Sequence, residues 1–301
     1  MDQCRVPPRV PARVLDGKAL AERVRGEVRD SALALERRGV RPNLQVVLVG
    51  DDPASAVYVR NKTKAAQEAG IVGETHHLPA AASEAEVLAL VDKLARDSVV
   101  HGILVQLPLP KHIDEERVLL RVPPLKDVDG FHPENLGRLM MGKPRFQPCT
   151  PAGVVELLAA NDVPIPGAHV VILGRGATVG KPLSVMLSQK GPRADATVTL
   201  CHSQTKHVHM QARVADILVA AMGKARFVQP AMVKRGAAVV DVGINRVLDP
   251  THPKGERVVG DVDPAVQEVA GWLSPVPGGV GPMTIAMLLR NTVRAAELQH
   301  G

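Results

Sequence analysis

Aromatic side chains, paired cysteines and long apolar runs are all scarce in this chain. Only 2% of its 301 residues are aromatic, too few for the stacking platforms of nucleic-acid-binding proteins, so no nucleic-acid partner is predicted. Cys4, Cys149 and Cys201 show neither disulfide-framework nor metal-site spacing, which favours a reducing compartment, and we predict a cytoplasmic protein. No apolar run reaches the ~18 residues that a membrane span requires, so no membrane association is predicted.

The first twelve residues contain Pro and Arg but lack the apolar core of a signal peptide. We predict a short disordered extension there, and a trimmed organelle-targeting remnant is the alternative. The formal net charge is +6 and the pI about 9.4. This bias favours anionic ligands, and a phosphorylated cofactor together with a polycarboxylate substrate would explain it.

Apolar runs of strand length alternate with helical patterns along the chain, and the length suggests about two domains. The runs lie at 44–50, 99–107, 169–173, 196–200, 217–221 and 237–242. This alternation is typical of α/β folds with a parallel, doubly wound sheet. An amphipathic helix is predicted over 14–38. Another is predicted to begin with Thr150 as N-cap and Pro151 at its first position, and we place the domain boundary there.

The segment Tyr58–Ile71 contains the only tyrosine of the chain, followed by Lys62 and Lys64. It comes after a strand and a polar turn, 51–57, and is predicted to be a helix. Tyr58 and Lys62 are four residues apart and therefore share one helical face. An aromatic ring beside an amine suits a flat, polar, heteroaromatic substrate. Taken alone, the segment favours the alternative that Tyr58 and Lys62 both face solvent.

The loop 123–135 is dense in Pro, Asp and Gly, and it contains the candidate functional carboxylates Asp127 and Asp129. Aspartates also form turns by accepting backbone hydrogen bonds, and we expect one of these two to do so. The segment 274–284 contains three glycines and three prolines. We interpret it as a rigid loop, without a role in packing, that approaches a ligand closely.

Gly174, Gly176 and Gly180 directly follow a predicted strand and open a helix. Such glycines allow the backbone and the helix N-terminus to approach a pyrophosphate, so a dinucleotide site is predicted, a simple glycine turn being the alternative. The next strand ends at 201–206 without the acidic residue that binds the ribose of NAD. Arg175, Ser203 and Lys206 could instead hold a 2′-phosphate, so we predict NADP as the cofactor.

Three nearby histidines, His202, His207 and His209, raise the possibility of a metal site. His207 and His209 lack a third ligand in a suitable context, so no metal is predicted.

Several motifs together identify a family resemblance. They read DDPASAVYVRNKTKAAQEAGI, GILVQLPLP, KDVDGFHPENLG, PCTPAGVVELL, GRGATVGKP, ATVTLCHSQT, DVGIN, VGDVD and PVPGGVGPMTIAMLLRNTV, in this order from Asp51 to the C-terminus. The chain thereby resembles the bifunctional methylenetetrahydrofolate dehydrogenase/methenyltetrahydrofolate cyclohydrolase family. The set is highly specific, because unrelated families do not share it.

The resemblance implies two α/β domains flanking a cleft. Residues 1–149 would form a folate-binding catalytic domain on which the last helix, 283–301, packs, and residues 150–282 an NADP-binding, Rossmann-like doubly wound domain. It also implies a homodimer acting on tetrahydrofolates, expected to be polyglutamylated, in one-carbon metabolism and purine biosynthesis. The expected activities are NADP-dependent oxidation of 5,10-methylenetetrahydrofolate and hydrolysis of the product to 10-formyltetrahydrofolate. A dehydrogenase with weak or absent cyclohydrolase activity is the alternative.

Residue roles follow from the same resemblance. Lys62 resembles the catalytic lysine, Gln106 its partner and Asp129 the carboxylate that binds the pterin. The remaining expected contacts are Ser55, Tyr58, Pro275, Gly278 and Gly279 for the substrate, and Gly174, Arg175, Gly176, Gly180, Ser203 and Ile244 for the cofactor. Gly176 departs from the family, which commonly has a serine there, so cofactor affinity and preference are in question.

Overall fold

The structure is a computed structural model that describes residues 11–252 and 255–301. Most of the extension predicted over residues 1–12 therefore lies outside the described residues. The strands are β1 (Arg13–Val14), β2 (Asn43–Val49), β3 (Val72–Leu78), β4 (Gly102–Val105), β5 (His169–Leu173), β6 (Thr197–Cys201), β7 (Ile217–Ala220), β8 (Ala238–Asp241), β9 (Asn245–Leu248), β10 (Glu256–Val259) and β11 (Trp272–Leu273). The α-helices are α1 (Gly17–Glu36), α2 (Pro53–Glu68), α3 (Glu84–Arg96), α4 (Glu115–Arg121), α5 (Pro133–Met140), α6 (Cys149–Ala160), α7 (Gly180–Ser188), α8 (Val208–Arg213) and α9 (Val280–His300).

The chain forms two compact units. The first unit comprises Ala19–Gly153 and Met283–Gly301, and the second unit comprises Val154–Pro282 together with the described residues up to Lys18. Our sequence prediction assigned residues 1–149 to one domain, but β1 pairs in parallel with β11 of the second unit. Residues 11–18 therefore belong to the second unit. The later boundary falls at Val154, inside α6, rather than at residue 150.

The first unit is built on a three-stranded parallel sheet in the order β3-β2-β4. The central strand β2 is buried along its whole length, which explains why its sequence is continuously apolar rather than alternating. Helix α2 follows β2 directly, and Gln106 follows β4. Both segments therefore emerge at the carboxyl ends of parallel strands, where α/β proteins bind ligands.

Helix α2 begins earlier than the sequence predicted. The segment 51–57, interpreted as a polar turn, contains its first turn, because Asp52 caps the helix and Pro53 occupies the first position. Gly70 follows the helix with φ +75°, a conformation that favours glycine at a helix end.

The second unit is built on a six-stranded parallel sheet in the order β1-β11-β8-β7-β5-β6. Its central strands β7 and β8 are completely buried, as is all of β5 except His169. The chain passes from β5 to β6 on one side and then to β7 on the other. The strand order thus reverses at β5, and such a switch point leaves a crevice at the carboxyl ends of the strands.

Three further helix boundaries differ from the sequence prediction. Helix α1 begins at Gly17 instead of residue 14, because Arg13 and Val14 form β1. Helix α6 begins at Cys149, so Thr150 lies in its first turn and is not its N-cap. Helix α9 begins at Val280, three residues before the predicted start at residue 283, so the second half of the Gly- and Pro-rich segment is helical.

Candidate active site

Three predicted site residues share one face of α2. Ser55, Tyr58 and Lys62 are spaced by three and four residues, which places them one above the other on a helix. Ser55 and Lys62 are buried, with exposed fractions of 8% and 5%. Ser55 also donates its backbone N–H to the cap residue Asp52 (2.7 Å). By contrast, Lys64 is exposed and forms an ion pair with Glu68, as expected of a lysine on another face.

Lys62 is held by Gln106 from the neighbouring strand end. The Lys62 Nζ donates to the Gln106 Oε1 at 3.0 Å. The amide nitrogen of Gln106 donates in turn to the Leu107 carbonyl (2.6 Å), which fixes the orientation of the amide. The Gln106 side chain can therefore only accept a hydrogen bond from the Lys62 amine. An uncharged amine in this position keeps its lone pair available for a reactant.

The ionisation of this site is controlled by burial. Burial lowers the pKa of Lys62, against the opposing attraction of the Asp129 carboxylate. Burial likewise raises the pKa of Asp129, although Lys62 opposes the shift. Both shifts disfavour the charged forms. The amine also lies 4.4 Å from the centre of the Tyr58 ring.

The two aspartates of the KDVDG segment have different roles. The carboxylate of Asp127 accepts the backbone N–H groups of Gly130, Phe131 and His132 and the side-chain amide of Asn135. Asp127 thus shapes the loop, which confirms that one of the pair is a turn-forming residue. Asp129 is the carboxyl group next to Lys62.

Cys149, Thr284 and Asn291 join this site although the sequence analysis did not select them. The Cys149 thiol lies against the Val128 carbonyl (3.4 Å) and the Asp129 side chain, and burial raises the pKa of the thiol, which keeps it protonated. Tyr58 forms a hydrogen bond with Thr284. Asn291 donates to the Val128 carbonyl at 2.8 Å. The sequence spacing of Cys149 bears only on disulfide pairing or metal binding, and the α9 residues are distant in sequence, so no local pattern indicates these three residues.

The second unit contains a separate pocket of about 570 Å³ at the carboxyl ends of β5, β6 and β7. Of the predicted cofactor residues, Gly174, Arg175, Gly176 and Ser203 line it. Gly180 and Ile244 do not line it. Gly180 is the first residue of α7, and Ile244 is 64% exposed in the segment between β8 and β9.

Two of the three turn glycines are required by packing. A Cβ on Gly174, which has φ +119°, would overlap the Ala221 carbonyl oxygen, and one on Gly180 would overlap the Gly174 carbonyl oxygen. Gly176 has no such constraint, since a Cβ added there would meet only the Thr178 hydroxyl, at 4.0 Å. The turn is therefore tight at both ends and open at Gly176, where a serine would fit.

The pocket is lined by two cations, Arg175 and Lys224, and none of its lining residues is acidic. This composition suits a phosphorylated ribose better than a ribose hydroxyl pair. Lys206, a predicted 2′-phosphate contact, is not among the lining residues, whereas Lys224 is. Lys224 lies in the loop after β7, as Arg175 lies in the loop after β5. Its position after a parallel strand could therefore have indicated from the sequence that it lines the pocket.

Two buried aspartates shape the loops around this pocket. Asp261 is completely buried and accepts the backbone N–H groups of Met222, Gly223 and Lys224. Asp241 accepts the N–H groups of Gly243, Asp261 and Val262. The carboxylates thereby hold the loop that carries Lys224, a structural function that the sequence analysis did not assign to them.

Asp241 leads to a prediction about stability. Burial raises its pKa to about 6 from an ordinary value of 3.8. The folded state therefore binds this proton more tightly than the unfolded state. The contribution of Asp241 to stability is full below about pH 4 and is lost as the pH rises through about 6, by about 3 kcal/mol. Urea unfolding at several pH values, followed by the emission of Trp272, should show that Asp241→Asn lacks this pH-dependent component. Parallel pH profiles of the two proteins would contradict the assignment.

The predicted substrate loop is a tight turn within the second unit. Gly279 donates its N–H to the Pro275 carbonyl (2.8 Å), and Gly278 has φ +114°. A Cβ on Gly17 would overlap the Gly279 carbonyl oxygen, and one on Gly279 would lie 2.7 Å from the Pro275 oxygen. The expectation that the glycines of this segment have no role in packing was wrong for Gly279, where the backbone segments approach each other too closely for a side chain.

Two of the three histidines near the pocket, His202 and His209, have separate contacts. The Nδ1 of His202 accepts the Gln204 N–H (3.2 Å), and the His209 ring packs against Phe227. Within residues 11–252 and 255–301, no group of three or more His, Cys, Asp or Glu side chains is placed to hold a metal ion. In the same ranges, no helix combines the length and apolar character needed to cross a membrane.

Family models match both parts of the chain. The tetrahydrofolate dehydrogenase/cyclohydrolase catalytic domain matches residues 15–129, and the NAD(P)-binding domain of the same family matches residues 148–300. The bifunctional protein FolD of Moorella thermoacetica is 52% identical over 290 residues, which cover 96% of this chain and all of that protein. The FolD protein of Bordetella petrii is 53% identical over 291 residues, covering 96% of each chain.

Solved structures agree with these matches. The bifunctional FolD dehydrogenase/cyclohydrolase of Campylobacter jejuni is 45% identical with a TM-score of 0.89, and the match covers 95% of this chain and 98% of that one. The FolD protein of Trypanosoma brucei, whose structure contains NADP and an inhibitor, is 40% identical with a TM-score of 0.91 and covers 96% and 98% of the two chains.

Proposed function

The chain belongs to the tetrahydrofolate dehydrogenase/cyclohydrolase family, and on this premise we propose how its side chains carry out the two reactions. The enzyme oxidises 5,10-methylenetetrahydrofolate to the 5,10-methenyl cation with NADP, and it hydrolyses that cation to 10-formyltetrahydrofolate. The first reaction needs alignment of the one-carbon bridge, and the second needs an activated water.

We assign the activation of water to Lys62. Its buried amine has a lowered pKa, and it donates a hydrogen bond to the Gln106 oxygen. In the uncharged form, the lone pair can accept a proton from water as it adds to the methenyl carbon. An uncharged amine also avoids electrostatic repulsion of the cationic substrate. The single observation that carries this proposal is the contact between the buried Lys62 and Gln106.

We assign recognition of the pterin to Asp129. Burial raises its pKa, and a protonated carboxyl can donate one hydrogen bond and accept another, which matches the mixed donor and acceptor edge of a pterin. Tyr58, Ser55, Pro275, Gly278 and Gly279 are proposed substrate contacts. Lys62 lies over the Tyr58 ring, so this ring both supports the amine and offers apolar surface.

We assign cofactor binding to the pocket around the glycine turn. NADP⁺, when bound, supplies the hydride acceptor. The residues fit such a group, because Gly174 and Gly180 admit no side chain and the lining residues include Arg175, Ser203 and Lys224 but no acid. Arg175, Ser203 and Lys224 would bind the 2′-phosphate, and the backbone of Gly176 would approach the cofactor. Ile244 does not line the pocket and is proposed as a further cofactor contact.

Gln106→Glu tests the proposed role of the amine. A carboxylate 3.0 Å from Nζ should favour the ammonium form and raise the pKa of Lys62. Cyclohydrolase activity near neutral pH should fall about 10-fold or more, and the acid limb of its pH–activity profile should move to higher pH. The activity is followed as loss of methenyl absorbance from pH 6 to 9.

Gln67→Glu is the matched control for this substitution. Gln67 is exposed on the same helix, so the same chemical change there should leave the pH profile unchanged. An unshifted profile in Gln106→Glu would show that the protonation state of Lys62 does not limit hydrolysis.

Assembly, compartment and substrate form complete the proposal. We propose a homodimer, which light scattering of the purified protein tests directly. The free, buried thiols of Cys149 and Cys201 support a reducing, cytoplasmic compartment. The net charge of +6 supports preference for polyglutamylated folates, whose added carboxylates would lower KM.

A further inference from the structure

The second unit contains another pocket, of about 400 Å³, at the edge of its sheet opposite the cofactor pocket. It is lined by residues at or just before the first positions of the parallel strands, including Asp216, Ala238 and Trp272. The cofactor pocket instead lies at the carboxyl ends of the same sheet. The two pockets have no lining residue in common, so this one is not part of the cofactor site.

One wall of the pocket is apolar and includes the indole group of Trp272. Pro164, Pro166 and Ile217 line the pocket together with Trp272. The Trp272 Nε1 is buried and has no hydrogen-bond acceptor in the described part of the chain. Because this nitrogen is inaccessible, Trp272 contributes apolar ring surface to the lining of the pocket.

The rim of the pocket carries net positive charge. Lys234 forms an ion pair with Asp216 (2.6 Å), whose second oxygen accepts the His169 N–H. That pair neutralises both charges. Arg235 also lines the pocket, and among the residues that the structure describes it has no acidic partner. Arg13 lies 5.6 Å over the Trp272 ring and adds a second positive charge nearby.

An adjoining cavity of about 420 Å³ extends this cationic surface. Lys234 and Arg235 line both cavities, and Arg213 lines the second. Arg235 therefore supplies unpaired positive charge to both cavities, and Trp272 supplies aromatic surface to the first. An occupant that complements both would combine an anionic group with a flat apolar body.

We propose that the pocket lined by Pro164, Arg235 and Trp272 binds a small organic anion, with its anionic group on Arg235 and its flat apolar body beside Trp272. The guanidinium group can bind either a carboxylate or a phosphate through two hydrogen bonds. The site shares no residue with the cofactor pocket or with the group around Lys62.

The test uses the only tryptophan of the chain as the reporter. The full-length protein, saturated with NADP⁺ to block the cofactor pocket, is titrated with benzoate, phenyl phosphate and neutral benzamide while Trp272 emission is recorded. Calorimetry provides a second measure. We expect saturable changes with one or both anions, and at least about 10-fold weaker binding of benzamide. Comparison of benzoate with phenyl phosphate shows which anionic group the site prefers.

Arg235→Gln and Arg257→Gln form a matched pair of variants. Both remove one exposed positive charge from the second unit, but Arg257 lies on the β9–β10 hairpin and lines neither cavity. Arg235→Gln should weaken anion binding about 10-fold or more with unchanged thermal unfolding and both activities intact, whereas Arg257→Gln should bind normally. No saturable signal up to about 10 mM of either anion, equal binding of benzamide, or equal affinity in the two variants would overturn the proposal.

Discussion

Lys62→Gln should reduce cyclohydrolase activity by about 10²- to 10⁴-fold, the range typical for loss of a general base. Glutamine has a similar length and can still hydrogen-bond to Gln106, but it cannot accept a proton near neutral pH. The dehydrogenase reaction should lose much less, about 10-fold or below, because it depends on alignment rather than on a base. Loss of methenyl absorbance and formation of NADPH report the two reactions separately.

Lys64→Gln is the control for this substitution. Lys64 lies two residues further along α2 and is exposed, and its ion pair with Glu68 is of the type that contributes little to stability. Both activities should remain at the level of the unmodified enzyme. If Lys62→Gln hydrolysed the methenyl cation at a normal rate, Lys62 could not be the base, whatever its effect on the dehydrogenase.

Gly180→Ala should disrupt the cofactor turn. The added Cβ would overlap the carbonyl oxygen of Gly174, a backbone atom that cannot move without displacing the end of β5. We expect the second unit to lose about 3 kcal/mol of stability and NADP affinity to fall by about 10-fold or more, since the turn could no longer present its N–H groups. Urea unfolding followed by Trp272 emission measures the stability of this unit, and a fluorescence titration measures the affinity.

Gly176→Ala is the contrasting variant at the same turn. No backbone atom lies within 4 Å of the position of its Cβ, and its φ is outside the left-handed region. Its stability should remain close to that of the unmodified enzyme. Equal destabilisation by the two alanines would mean that the turn does not have the packing described, and that its glycines serve only backbone flexibility.

Much of the second unit was predictable because its parallel sheet is buried on both faces. Strands such as β5 and β7 are continuous apolar runs with polar loops at their carboxyl ends, so the runs located the strands and the loops located the pocket. The two-residue strands β1 and β11 were not predictable in this way. Their pairing joins residues far apart in the sequence, which a local pattern does not record.

The Lys62 site was predictable only in part. Helical spacing placed Tyr58 and Lys62 on one face, and turn chemistry anticipated that one aspartate of the pair would shape the loop. The roles of Lys62, Gln106 and Asp129 came from the family resemblance. Cys149 and Thr284 reach the site through the packing of α6 and α9 in the first unit, and burial then sets the ionisation of the group. Burial of a particular amine depends on the complete tertiary structure.

The protonation state of Lys62 is the central claim, and its direct titration by NMR is the most decisive measurement. Lysines labelled with ¹³C at the ε-carbon can be followed from pH 6 to 11, with Lys62→Gln identifying the resonance. We predict that the Lys62 amine titrates clearly below the ordinary lysine value of about 10.4, and that the acid limb of the cyclohydrolase profile follows the same pKa. Titration at or above the ordinary value would contradict the account, because the amine would then be charged under working conditions and unable to act as the base.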